Sequence, residues 1–160
     1  PFDNRIWLLR RGQRARPVFA APPRIGHEWW DPDGAHIWYL YFSGNGTQKV
    51  EVATGRVTVV WPGGRGHSHA SAAGDLVAGD NPRRDAQNQT WAFQVSFFNA
   101  ATGREALIAD TVPVLAMDKY HGHPHPRFCG QDRWIAYTTT VRGQIDVAFT
   151  EVAALVAATS

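Results

Sequence analysis

A single cysteine, Cys129, stands in 160 residues, so no internal disulfide framework is available. Lysine is nearly missing, with two Lys against fourteen Arg. Arg pairs bidentately with carboxylates and phosphates, which points toward an anionic ligand. A GC-rich coding bias produces the same skew and is the better account of it. Charge of one sign is also lacking. The net charge is only +2, although the isoelectric point lies near 9.1, which is too little to argue for nucleic acid. No apolar run reaches the length of a membrane span, and no signal peptide is visible. The expected compartment is the cytoplasm, with the periplasm as the alternative. The chain opens at Pro1, without Met and inside a strand-like stretch, so it reads as a piece of something longer.

What is present is a globular composition, 44% hydrophobic and 19% charged, with seven Trp. No convincing amphipathic helix pattern occurs. Short apolar or alternating runs are separated by turn signals instead: Asp31-Pro32-Asp33-Gly34, Gly44-Asn45-Gly46, Ala53-Thr54-Gly55-Arg56 and Gly130-Gln131-Asp132. Ala101-Thr102-Gly103-Arg104 copies the third of these at a spacing of 48. Asn81–Gln89 reads as a polar loop, and the Ala/Val-rich tail after Ala153 as a segment that frays. A period of roughly 40–55 residues with four short strands per unit predicts an all-β chain built as a β-propeller. The expected division is the end of one blade over 1–20, blades over 21–62 and 63–112, and an incomplete blade over 113–160. Propellers close with about four to eight blades, so this chain would be part of a ring. A twisted open sheet stack, or an oligomer that completes the ring, is the alternative.

Six of the seven histidines fall in three clusters: His27, His67 with His69, and His121-Gly122-His123-Pro124-His125. In an extended backbone the triplet would project to one side, with Pro124 and Pro126 holding it out of helix. Neutral imidazole is the commonest nitrogen ligand of divalent metals. His27 stands seven residues before Gly34, His67 seven before Gly74, and His125 seven before Asp132. Each unit thus restarts with a histidine on its first, innermost strand, and neighbouring blades would deliver imidazoles to one channel. The competing readings are structural His-Pro turns for His123 and His125, and a hydrogen-bonded channel histidine for His27. His36 lies off the pattern and reads as a surface residue. Trp29, Trp30 and Trp134 read as inter-blade core ahead of sugar-stacking platforms. Asp80, Asn81, Arg83 and Arg84 read as a solvated loop ahead of an acidic-sugar contact.

The strings Asp3-x-Arg5-Ile6-Trp7, Gly26-His27-Glu28-Trp29-Trp30 with Asp33-Gly34, His67-Ser68-His69 before Gly74, and His123-Pro124-His125-Pro126-Arg127-Phe128 resemble the oligogalacturonate lyases. These are seven-bladed propellers of pectin degradation, and the resemblance implies the C-terminal half of such an enzyme. It implies β-elimination on short unsaturated galacturonides, with an acidic oligosaccharide as partner. It also implies a divalent cofactor, manganese. The ion would be held by His123, His125, and either His67 or His69. The family's Gln ligand position carries Tyr120 here, a departure that leaves His121 or water to fill it. The proton-transfer pair of the family maps to Arg5 and His27, with Arg5 as base. Since Arg is hard to deprotonate, chemistry alone favours the reverse assignment. A non-catalytic TolB-like binding propeller and a lyase for another uronic-acid polymer are the alternatives. The resemblance carries no expectation of oligomeric state.

Overall fold

The structure, a computed structural model, describes residues 6–20, 24–44, 46–63, 65–84, 91–115 and 122–160. These form four antiparallel sheets and one short helix, in two compact units that divide between Gly64 and Arg65. Each sheet is a meander, strand pairing with the next strand in sequence, which is the blade unit of a β-propeller.

In the first unit, β1 (Trp7–Leu8) pairs with β2 (Arg16–Pro17). A four-stranded sheet then runs in order β3 (Ile25–Trp30), β4 (His36–Tyr41), β5 (Gly46–Glu51), β6 (Val57–Trp61). β4 is flanked on both sides and covered on both faces, so Ile37, Trp38, Tyr39 and Leu40 form an unbroken buried run. β6 is outermost, and Val57 and Val59 are exposed on it. Ile6, Leu8, Ile25, Ile37, Tyr39 and Val50 make the core of this unit. The Tyr39 hydroxyl donates to Gln48 Oε1 (2.8 Å) within that core, and burial pushes its pKa up to about 12.

In the second unit, a four-stranded sheet runs β7 (His67–Ala70), β8 (Leu76–Arg84), β9 (Trp91–Asn99), β10 (Arg104–Pro113). A three-stranded sheet follows: β11 (Arg127–Cys129), β12 (Trp134–Thr139), β13 (Asp146–Glu151). The chain then enters α1 (Val152–Ala158). One core joins all three pieces. Ala78 and Phe97 of the first sheet meet Phe128 and Ile135 of the second, and Val152 and Leu155 of α1 close over them. At the hairpin tips, the Ala72 amide donates to Asp132 Oδ2 (2.6 Å).

The copied turns fold alike. Gly55 and Gly103 are left-handed, with φ 75° and 70°. Each donates its amide to the fourth residue back (Glu51 and Asn99, both 2.8 Å). In each, the Thr hydroxyl accepts the amide two residues on, from Arg56 and Arg104.

The structure departs from the sequence reading in four places. The tail is helical where fraying was expected. No side chain caps its N-terminus, so the usual start signal was missing, and packing of Val152 and Leu155 makes the helix instead. Asn81–Arg84 belong to β8, paired with Trp91–Gln94. β7 pairs only as far as Asp80, so beyond it β8 is an edge, where the missing N–H of Pro82 costs no ladder bond. Residues 122–126 are coil, because two prolines deny the ladder its donors and His125 is left-handed (φ 44°). Finally, Gln131 and Asp132 form a tight two-residue turn with φ 59° and 60°. The first two hairpins carry longer loops, so seven residues counted back from Asp132 do not reach the same rung as in β3 and β7.

Candidate metal centre

His67 opens β7 and pairs across the ladder with Asp80 of β8. Directly paired residues point to the same face, which puts the Asp80 carboxylate beside the imidazole. Asp80 is fully buried. Its Oδ1 accepts the His67 amide (2.9 Å), and both of its oxygens lie within 3.0 Å of His67 Nδ1. Its Oδ2 also accepts the amide of His125 (3.0 Å). An ionised carboxylate only accepts, and this network assigns the hydrogen of His67 to Nδ1 and leaves Nε2 as the lone-pair nitrogen.

The coil before β11 brings in the other two imidazoles. The amide of Thr138 on β12 donates to the Pro124 carbonyl (2.8 Å), which fixes the coil from one side while Asp80 fixes it from the other. Buried Phe93 of β9 lies against His123, with ring centroids 4.5 Å apart. The rings of His67 and His125 are 3.6 Å apart, and those of His67 and His123 are 5.2 Å apart. One ring nitrogen from each of His67, His123 and His125 lies within 4.8 Å of the others. His67 is buried, His123 half-buried and His125 exposed, so the group opens to solvent on the His125 side.

Three imidazoles whose ring nitrogens approach this closely form a ready set of nitrogen donors. As neutral nitrogen donors they suit a divalent transition ion, and a carboxylate behind a ligating histidine is the common outer support of such sites. The residues present therefore fit a divalent metal ion.

The other sequence candidates fall elsewhere. His69, two residues along β7 from His67, is about 7 Å further on by strand geometry. It is not part of the three-imidazole group: its Nδ1 accepts the Phe128 amide (3.3 Å). Burial, then the charge of Arg127, lowers its pKa against a smaller opposing pull from Asp132. His27 lies in the first unit, exposed and left-handed (φ 55°), on the bulge between Gly26 and Trp29 and edge-on to Phe42. Arg5, Tyr120 and His121 lie outside the described residues. Trp30 and Trp134 are exposed, and Trp29 stacks on buried Trp38 with centroids 5.5 Å apart.

Asp80 was missed because Asp80-Asn81 reads as the start of a polar loop. A usable signal existed: once the hairpin is placed at 71–76, the register pairs residue 67 with residue 80. A second trio, Asp31, Asp33 and His36, also has ligand atoms within 4.8 Å of one another. It has a local purpose. Asp33 Oδ1 accepts the amides of Ala35 and His36, and Oδ2 meets His36 Nδ1 at 3.0 Å, so the group clamps the β3–β4 turn.

No family model matches the chain. The oligogalacturonide lyase of Pectobacterium atrosepticum is 27% identical to it over 161 residues, 89% of this chain and 41% of the lyase. The oligogalacturonate lyase of Dickeya dadantii is 26% identical over 163 residues, with the same coverage. A solved oligogalacturonate lyase in complex with manganese superimposes with a TM-score of 0.71 at 26% identity, over 93% of this chain and 41% of that one. This chain resembles the oligogalacturonate lyases. It spans 41% of the length of the curated lyases it matches. The propeller fold is shared more widely. An oligogalacturonate lyase from Vibrio parahaemolyticus superimposes at 0.71 with 23% identity, and TolB from Acinetobacter baumannii at 0.62 with 14%.

Proposed function

We propose that this chain is the metal-binding portion of a lyase that cleaves short oligogalacturonides by β-elimination. The observation that carries the reading is the convergence of His67, His123 and His125, with Asp80 behind His67. Its support is the similarity to oligogalacturonate lyases, one of them solved with manganese.

The chemistry explains the need for such residues. The proton at C5 of a uronate is weakly acidic while the neighbouring carboxylate is ionised. A divalent ion, manganese by this reading, supplies charge neutralisation at that carboxylate when bound. His67, His123 and His125 would hold it. A base takes the C5 proton, the C–H electrons form the C4–C5 double bond, and the C4–O bond breaks toward the leaving sugar. Arg5 and His27 are the proposed pair for this step. Neutral His27 is the chemically easier base, with the Arg5 guanidinium pairing the substrate's negative charge. The family resemblance assigns the two in reverse, and the pH dependence of the paired variants distinguishes them.

The test is incubation of the full-length protein with digalacturonate and manganese, following the absorbance of new unsaturated or keto products. Turnover that vanishes in His123→Ala supports the reading. Metal-loaded protein that turns over no uronate in a substrate panel overturns it in favour of a binding propeller, and turnover of another uronic-acid polymer alone reassigns the substrate.

A further inference from the structure

Asp80 holds a position that the ligand set does not explain. A fully buried carboxylate is costly unless its oxygens are satisfied, and here every donor comes from the site itself: the His67 amide, the His67 ring and the His125 amide. It binds a strand residue and a coil residue 58 positions apart in sequence. Room for it is reserved by a missing side chain. A Cβ on Gly66 would sit 2.6 Å from Asp80 Oδ1, and the Gly66 amide donates to the Asp80 carbonyl (2.8 Å). Gly66 is not left-handed, so its backbone does not demand glycine, whereas the carboxylate beside it does.

We propose that Asp80 is the positioning residue that assembles the three-histidine centre before any ion arrives, with Gly66 keeping the space it occupies. Asp80 sets the His67 tautomer, leaving Nε2 as the nitrogen that would take an ion, and pins the His125 amide, which fixes the coil that carries the other two rings. Asp80 stands behind the ligand set: the ligand atoms that come within 4.8 Å of one another are those of His67, His123 and His125, and the Asp80 oxygens accept from N–H groups of that set. This inference rests on the metal-centre reading for the ion, but its account of the tautomer stands on the hydrogen bonds alone.

The experiment uses the full-length protein, wild type beside Asp80→Asn, Gly66→Ala and His67→Ala. Asn keeps the shape and one acceptor but turns a donor toward either His67 Nδ1 or the His125 amide. Gly66→Ala leaves every charge in place and displaces the carboxylate. Two readouts are taken: ¹⁵N shifts of the His67 ring in metal-free protein, and calorimetric titration with Mn²⁺ and Co²⁺. A cooperative thermal melt checks each variant for folding. The expected result is a wild-type His67 ring protonated at Nδ1, a changed tautomer signal in both Asp80→Asn and Gly66→Ala, and metal affinity lower by about 10–100-fold in each, the range typical of outer-shell partners. Affinity within about twofold of wild type, with an unchanged ring signal in either folded variant, overturns the proposal. Wild type and His67→Ala binding metal equally removes the metal-centre reading instead, and the ring signal then decides the role of Asp80 alone.

Discussion

Replacing Leu155 with alanine tests whether α1 is a structural part of the second unit. Leu155 is 7% exposed and packs with Phe97, Phe128, Ile135 and Val152. Three carbons leave the core, worth about 2.4 kcal/mol at ~0.8 kcal/mol per buried methylene. The helix end is also tied down. The Asn99 side chain donates to Thr159 Oγ1 (3.3 Å) and the Thr102 hydroxyl donates to the Thr159 carbonyl (2.7 Å). The void therefore closes only in part, and the cavity contribution brings the expected loss to about 3 kcal/mol, within the usual range for buried Leu to Ala. That is roughly a hundredfold in the unfolding equilibrium constant. Urea denaturation of the full-length protein followed by Trp fluorescence measures it, with exposed Ala154→Ser as the control, expected within about 0.5 kcal/mol of wild type. A loss below about 1 kcal/mol for Leu155→Ala would refute the reasoning and return the tail to a frayed segment.

Two further outcomes follow from single groups. Gly46 is left-handed (φ 69°), and a Cβ there would lie 2.0 Å from the Trp61 carbonyl and 2.4 Å from that of Gly63, both backbone atoms. Gly46→Ala is expected to cost about 3 kcal/mol or more, counting roughly 1–2 kcal/mol for the left-handed backbone alone, and chemical denaturation should show it. Tyr39 is held neutral to about pH 12 by burial, above the ordinary 10.0. A raised pKa contributes stability that is fully present below pH 10 and lost as the pH rises toward 12. The alkaline fall in melting temperature over that window should shrink in Tyr39→Phe, and an unchanged fall would assign it to other groups.

The fold was legible where turns carry their own chemistry. Asp33-Gly34, Thr54-Gly55 and Thr102-Gly103 announce their left-handed glycines in sequence, and the strands between them follow. The hidden features depend on partners distant in the chain. α1 forms because Ala78, Phe97 and Ile135 offer it a surface, not because Val152–Ala158 signals a helix. The approach of His123 and His125 to His67 was anticipated from alternation along an extended strand, but they reach it from a coil. The choice between His67 and His69 turns on which imidazole faces Asp80 and which faces the Phe128 amide, and only the cross-strand register decides that.

The centre is shared between consecutive sheets: His67 and Asp80 come from one, while His123 and His125 come from the connection entering the next. An ion held by all three rings would work as a rivet across that seam, fastening segments that the backbone joins only through a long detour. Loading would then toughen the second unit against opening at the seam, by an amount that grows with the logarithm of ion concentration over its dissociation constant. Chelation would weaken the same joint, so faster hydrogen exchange at the His125 and Thr138 amides should report an empty centre.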